Sequence, residues 1–521
     1  MSTNRDTAPG ADRRALLLNP NDTVVVATED IGAGLSLEAL GLVTVDRIAQ
    51  GHKIARQPHS VGDPVIRYGQ MIGRASVPIT VGEHVHSHNL AMGDQADDGA
   101  VRLDAGDTSA FQVNASADLP TTFMGYHRAD GRVGTRNYLG IVTSVNCSGS
   151  VARFIGEAAE KSGLLDAFPN VDGIAPIVHG TGCGMAADDE GYDTLFRTLS
   201  GYAQHPNFGG ILLVGLGCEV MQVGDLIGKG RPRADGAFRY MTIQQSGGTA
   251  KTVERGVSLL RELAEVANTV DRAPAPLSHL TLGLQCGGSD GYSGITANPA
   301  LGYASDLLVK AGGTSILSET PEIYGAEHLL THRAVSPEVA DKLMERVHWW
   351  ERYTSMHGGK LDNNPSPGNK RGGLTTILEK SLGAVAKGGA APLVDVYKYA
   401  EPITTHGFVY MDSPGYDPCS VTGQIASGAN LVAFTTGRGS VSGYIPTPCI
   451  KLATNTPMYE RMADDMDINC GDVLSDGVSV KDKGEAILRH LVMVASGEKT
   501  KSERQGFGGA EFVPWQLGAV M

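Results

Sequence analysis

The 521-residue chain reads as an α/β protein, with a small N-terminal β domain and a large α/β body built on mainly parallel sheets. Three observations predict this. Over residues 16–90, short apolar runs are separated by glycine-bearing turns. From Thr122 onward, apolar runs alternate with segments of helical period, as in βαβ units. Four of those later runs close on a cysteine, where a parallel strand would reach the rim that binds ligands.

Taken in order, residues 1–15 read as a disordered tail. Residues 16–90 form the β domain, with strands expected at Asp22–Thr28 and Asp63–Tyr68. Gly32, Gly34, Gly51, Gly62, Gly69, Gly73 and Gly82 fall at turn spacing. Residues 91–122 are polar and acidic and read as a linker. The first part of the body spans 123–360, with helical patterns at Val151–Ser162, Lys251–Asn268 and Pro337–Tyr353. The second part spans 361–510. It opens on Asn364-Pro-Ser-Pro-Gly-Asn-Lys370 and a helix through Leu382. Strands are expected there at Ala391–Tyr397, Gly407–Met411 and Asn430–Thr435. Residues 501–521 form an extension without clear period.

Composition narrows the function. A net charge of −14 argues against nucleic acid. No apolar run is long enough to span a membrane, and the N-terminus lacks the apolar core of a signal peptide, so a cytoplasmic protein is expected. The seven cysteines are irregularly spaced and contain no C-x-x-C, which argues against a disulfide framework and thioredoxin-like chemistry.

Four constellations carry candidate chemistry. Cys147, Cys183, Cys218 and Cys286 end the runs Asn137–Cys147, Gly173–Cys183, Gly210–Cys218 and Leu280–Cys286. Four thiols on one rim would hold a soft metal, iron or an iron–sulfur centre. Cys419, Cys449 and Cys470 lack that setting and read as structural. In His84-Val-His86-Ser-His88, strand alternation sends the imidazoles to one face, as a metal site needs, and His52 and His59 could join them. The loop Gln285–Asn298 offers Ser289, Asp290, Ser293, Thr296 and Asn298 to a polyhydroxylated ligand. Asn369 and Lys370, with Thr436 and Arg438, form two basic loops in an acidic chain. Such loops suit a carboxylate.

These residues resemble the altronate and galactarate dehydratases, sugar-acid hydro-lyases with an N-terminal SAF domain. The likeness runs from about Leu17 to Ala510. It is carried by Gly51-His-Lys53, Val65–Gly73, Gly134-Thr-Arg-Asn137, Gly215-Leu-Gly-Cys-Glu219, Cys286-Gly-Gly-Ser-Asp290, Gly294–Pro299, Asn364–Lys370, Thr436-Gly-Arg-Gly439 and Met466–Asn469. Gly82–Asn89 and Pro321–Glu327 look like the altronate branch. Gly302–Val309 and Asp465–Asn469 lean to the galactarate branch. Ser440-Val-Ser-Gly443 departs from the Thr-Pro-aromatic-Gly of both.

The resemblance implies dehydration of an altronate-type aldonate to a 2-keto-3-deoxy acid, with a galactarate-type aldarate as the alternative. It also implies dependence on iron(II); His and carboxylate ligation would allow exchange with manganese, and thiolate ligation leaves an iron–sulfur cluster open. The β-elimination needs a metal Lewis acid, a base for the C2 proton and an acid for the departing hydroxyl. His179, Asp290 and Lys370 are candidates for proton transfer. Arg438 and Lys370 are candidates for the carboxylate. Cys147, Cys183, Cys218, Cys286, His84 and His86 are the candidate metal ligands. The expected partner is a small sugar acid, with no nucleic acid and no membrane; a homo-oligomer is left open. Two rivals are a non-catalytic sugar-acid-binding protein and an iron–sulfur electron carrier.

Overall fold

A computed structural model describes residues 14–93, 111–229 and 236–520. The expected tail therefore lies outside the described residues except for its last two positions. Ala15–Leu16 forms a strand paired with Val26–Ala27. Residues 94–110 of the expected linker, and Met521, also lie outside.

The N-terminal domain is strand-rich. Ala15–Leu16, Val24–Ala27, Lys53–Ala55 and His84–Val85 form one antiparallel sheet in that order. Pro64–Arg67, Gln70–Ala75 and Leu90–Ala91 form a second. Successive strand residues face opposite sides. Val25 and Ala27 enter one apolar cluster and Val24 another, so the unbroken Val-Val-Val-Ala run serves two small cores.

The body holds two parallel sheets. The smaller runs Gly173–Ile177, Tyr138–Thr143, Phe208–Gly215, Phe238–Thr242. Every residue of Phe208–Gly215 is buried, which accounts for its continuous apolar sequence. Helices Gly149–Lys161 and Thr249–Ala267 cover one face, and Glu190–Ala203 covers the other.

The larger sheet has seven strands, all paired in parallel. Their order is Leu393–Tyr397, Gly407–Met411, Thr314–Leu317, Thr281–Cys286, Leu431–Thr436, Cys449–Ala453, Ile468–Asn469. It draws strands from both sides of residue 361. One apolar cluster joins the two sheets, holding Phe208 and Tyr202 of one module with Ile425, Val432 and Phe434 of the other. The residues after Lys501–Gln505 run between the two modules: the Phe512 ring lies 4.6 Å from Tyr202 of the smaller module, and Trp515 stacks at 5.3 Å on Trp350 of the helix Pro337–Met356 beside the larger sheet.

A cleft of about 770 Å³ opens at the amino ends of both sheets, bordered by Pro206, Thr281, Thr314 and Asn430. Both carboxyl rims therefore lie on the side away from that cleft. No helix among the described residues is long and apolar enough to cross a membrane.

Candidate functional site

The N-terminal domain is locked to the body by buried charge and by glycine. Lys53 and Arg67, both fully buried, ion-pair with Glu379. Lys53 Nζ also donates to Gly373 O at 2.7 Å, and Arg67 Nη2 to Gly291 O at 2.6 Å. Burial opposes ionisation of Glu379, but Lys53 and Arg67 outweigh it and hold the carboxyl at about 2. The backbones approach so closely that a Cβ on Gly291 would fall 2.1 Å from Gly51 O. Only glycine fits there.

Beneath that junction four loops converge. Cys286 ends its strand, and the chain turns through Gly287 and Gly288 to Asp290. The Asp290 carboxylate accepts from Thr454 Oγ1 at 3.0 Å, Asn455 Nδ2 at 3.1 Å, Ser293 Oγ at 3.1 Å and Tyr292 N at 3.1 Å. Burial still leaves its pKa raised. Asn369 Nδ2 donates to Ser289 O at 2.9 Å from one side. From the other, Gly437 N and Arg438 N donate to Gly288 O at 3.1 and 2.9 Å. The two basic loops and the polar loop expected from the sequence thus meet.

Two cations border this convergence with no acidic partner among the described residues. Lys370 is partly buried and Arg438 exposed, and neither side chain makes an ion pair or hydrogen bond there. Between Ser289, Asp290, Tyr68 and Lys380 lies a cavity of about 10 Å³, room for a single water. Several expected ligand groups are instead committed to the fold. Thr296 Oγ1 donates to Thr454 O at 2.7 Å, Asn298 Nδ2 to Gly383 O at 2.8 Å, and Thr436 Oγ1 accepts from Gly439 N at 3.0 Å. Ser293 and Asp290 likewise tie up one another.

Behind the loop lies a buried charged cluster. Cys286, Glu319 and Glu322 bring three ligand atoms within 4.8 Å of one another. Lys387 Nζ lies 2.9 Å from Cys286 Sγ, and Lys380 Nζ 2.6 Å from Glu322 Oε1. Neither Glu319 oxygen has a hydrogen-bond partner among the described residues. Burial and the charge of Glu322 push Glu319 well above the usual carboxylate range. Burial pushes the Cys286 thiol up to about 11. Burial also raises Asp417, to about 6. Protonated Cys286 and Glu319 leave Glu322 and Asp417 balanced by Lys380 and Lys387. If Cys286 and Glu319 lost their protons, the deficit would match one divalent cation. The donor set and the orphaned carboxylate therefore fit such an ion.

The four strand-end thiols do not share one rim. Cys147, Cys183 and Cys218 follow three neighbouring strands of the smaller sheet and are exposed. Cys286 is buried at the end of a strand in the larger sheet. The four runs are alike in sequence, yet sheet membership depends on distant pairings. Cys419, Cys449 and Cys470 are buried, as expected.

His179 stands apart from Asp290 and Lys370. Its Nε2 faces Thr143 O at 3.0 Å, its Nδ1 accepts from Thr181 N at 3.3 Å, and burial holds it at about 4. With both nitrogens engaged, it orders the Cys183 loop. His84, His86 and His88 do gather: the His84 ring lies 5.3 Å from His86 and 5.5 Å from His88. His52 joins, its Nδ1 2.9 Å from His84 Nε2, whereas His59 makes no ring contact with them among the described residues. His52 Nε2 faces Arg371 O at 3.2 Å and donates to it, so His52 Nδ1 carries the lone pair. His86 Nε2 faces Lys370 O at 2.8 Å. Burial and the neighbouring imidazoles hold His84 at about 3, so it is neutral at ordinary pH.

The sequence reading missed Glu319, Glu322, Lys380, Lys387 and Asp417. The two glutamates follow the strand Thr314–Leu317, so the strand-end rule used for cysteines could have found them. The lysines lie in and just after the helix Ile377–Val385 and carry no such signal.

Three family models match successive parts of the chain. They are the altronate/galactarate dehydratase SAF domain over residues 13–93, the D-galactarate dehydratase/altronate hydrolase second domain over 125–268, and the D-galactarate/altronate dehydratase C-terminal domain over 277–520. An altronate dehydratase of Bacillus subtilis is 36% identical over 494 residues, covering 94% of this chain and 96% of that protein. A galactarate dehydratase (L-threo-forming) of Escherichia coli is 37% identical over 504 residues, covering 94% of each. An altronate dehydratase of Escherichia coli is 34% identical over 493 residues, covering 93% of this chain and 96% of that protein.

Proposed function

The chain belongs to the altronate and galactarate dehydratase family of hydro-lyases, and from this premise we propose that it removes water from an altronate-type aldonate to give a 2-keto-3-deoxy acid with the aid of a divalent metal. The observation that carries the reading is the pair of cations without a partner among the described residues, Lys370 and Arg438, on either side of the Ser289–Asp290 loop.

Each residue has a distinct task. Arg438 presents a planar fork to the substrate carboxylate. The Lys370 amine has no partner among the described residues, whereas the His179 imidazole and the Asp290 carboxylate are occupied; Lys370 is the group placed to move the C2 proton or to hold the carboxylate. Asp290 fixes the loop through its full set of hydrogen bonds and does not itself titrate with substrate. The N-terminal domain, pinned over this loop by Lys53 and Arg67, excludes water from it. Cys286, Glu319 and Glu322 would hold the divalent ion, and Lys380 links that set to the cavity beside Ser289. An ion there would supply positive potential for the carbanion-like charge that develops next to the carboxylate. The seven free thiols suit a reducing compartment such as the cytoplasm.

A second reading is an aldarate of the galactarate type. Two free cations favour it, since an aldarate brings a carboxylate to each. A panel of aldonates and aldarates, offered anaerobically with iron(II), separates the readings by which one yields 2-keto-3-deoxy product. Binding without product across the panel would mean a sugar-acid-binding protein instead.

A further inference from the structure

We propose that Cys147, Cys183 and Cys218 bind a 4Fe–4S cluster on the carboxyl rim of the smaller sheet, leaving one iron without a protein thiolate. The three strands that carry them are adjacent, in the order Gly173–Ile177, Tyr138–Thr143, Phe208–Gly215. The loops that follow are laced together next to each thiol. Asn146 N donates to Thr181 O at 2.9 Å, and Met221 N to Gly182 O at 3.1 Å. Ser144 Oγ donates to Glu219 Oε1 at 2.6 Å, and Gly217 N to Glu219 Oε2 at 2.6 Å. Each of these bonds involves a residue within three positions of one of the cysteines. A Cβ on Gly182 would fall 2.2 Å from Ser144 O, so glycine is required for the Cys183 loop to close on the Cys147 loop.

The backbone is thus fixed while the thiols are left outside. All three are exposed, although free cysteine is among the most buried residue types. Among the described residues, only the Cys218 Sγ of the three has a hydrogen-bonding neighbour, Gln244 Nε2 at 3.4 Å. None is in a disulfide.

Three thiolates and no convergence on one point suit a cluster rather than a single ion. Among the described residues, only Cys286, Glu319 and Glu322 bring three ligand atoms within 4.8 Å, so the rim sulfurs do not converge on a single ion. A cluster binds each thiolate to a different iron and accepts wider spacing. Glu219 is occupied by its loop, and the remaining cysteines are buried elsewhere, so no fourth cysteine is at hand. A three-thiolate cluster keeps an iron open to water or a substrate oxygen, which suits a Lewis acid rather than an electron carrier. On loading of a preassembled cluster, three thiols each release a proton and no electron is transferred.

The rim is also tied to the substrate loop. The segment after Arg438 leads to Tyr444, which shares an apolar cluster with Met221 and Val223 just beyond Cys218. A role for the open iron in the elimination rests on the dehydratase reading; the presence of the cluster does not.

The test uses the full chain purified anaerobically, without substrate, with iron, acid-labile sulfide, visible absorption and Mössbauer spectra recorded. The expected result is about four iron and four sulfide per chain. Cys147→Ser, Cys183→Ser and Cys218→Ser should each lose the sulfide while far-UV circular dichroism is unchanged, and Cys286→Ser should keep it. Iron without sulfide, or sulfide retained in all three rim variants, overturns the proposal. Adding the sugar acid to the loaded protein should then perturb one iron site in the Mössbauer spectrum. An intact cluster with no perturbation leaves the cluster standing and removes its role in the elimination.

Discussion

Lys387 sets its ammonium 2.9 Å from the Cys286 sulfur and 3.7 Å from Glu319. All three groups are buried, and with Cys286 and Glu319 protonated the charge of Lys387 goes to balance the buried carboxylates Glu322 and Asp417. Lys387→Met keeps the stem and removes the charge, leaving buried acid uncompensated. The expected loss is about 3–5 kcal/mol in urea unfolding. Lys387→Arg should recover part of it. Equal stability of Lys387→Met and wild type would show that the cluster is not held by charge.

The exposure pattern predicts thiol chemistry. In the native metal-free protein, an alkylating reagent should modify Cys147, Cys183 and Cys218 and spare Cys286, Cys419, Cys449 and Cys470 until unfolding. For Cys286, burial reinforces this by holding the thiol at about 11, so little thiolate exists at neutral pH. Peptide mass mapping reads the outcome directly. Early labelling of Cys286 would contradict the buried site.

Acid should loosen the N-terminal domain first. Glu379 is held at about 2 in the folded protein, below its ordinary 4.5, so its contribution is present above pH 4.5 and is lost as pH falls from there toward 2. The gap corresponds to roughly 3 kcal/mol. Glu379→Gln should be less stable at pH 7 and should lose the steep part of the dependence between pH 4.5 and 2 in circular dichroism titrations. An unchanged slope would place the acid sensitivity elsewhere.

How much of this was legible follows from which signals are local. Parallel strands buried on both faces announce themselves as apolar runs, so Gly407–Met411 falls where the sequence puts it, and Leu393–Tyr397 within two residues. The thiol at the end of a run is equally local. Which sheet receives the run is set by partners far away in the chain, so the run alone does not separate Cys286 from the three cysteines of the smaller sheet. The histidines behaved similarly: alternation gathered His84, His86 and His88, while His52 arrived through pairing of Lys53–Ala55 with His84–Val85. Asp290 was visible as a polar loop residue, but its hydrogen bonds to Thr454 and Asn455, more than 160 positions away, were not.

Arg438 separates function from stability. Its side chain has no partner among the described residues, so Arg438→Ala should leave the melting temperature unchanged. Loss of its charged hydrogen bonds to a carboxylate is worth about 1.5–3 kcal/mol, roughly a tenfold to hundredfold fall in kcat/KM. Steady-state kinetics and calorimetry on the same preparation check both halves. Unchanged kinetics would remove Arg438 from the substrate site.

The most direct test of the central claim, elimination of water from a sugar acid, is turnover in deuterium oxide followed by NMR. Anaerobic protein with iron(II) and the accepted aldonate or aldarate should yield a keto group at C2 and one solvent deuteron at C3, because the enol formed by loss of the 3-hydroxyl is protonated from solvent. Recovery of the intact acid from a protein that binds it, or a product that keeps its 3-hydroxyl, would contradict the account.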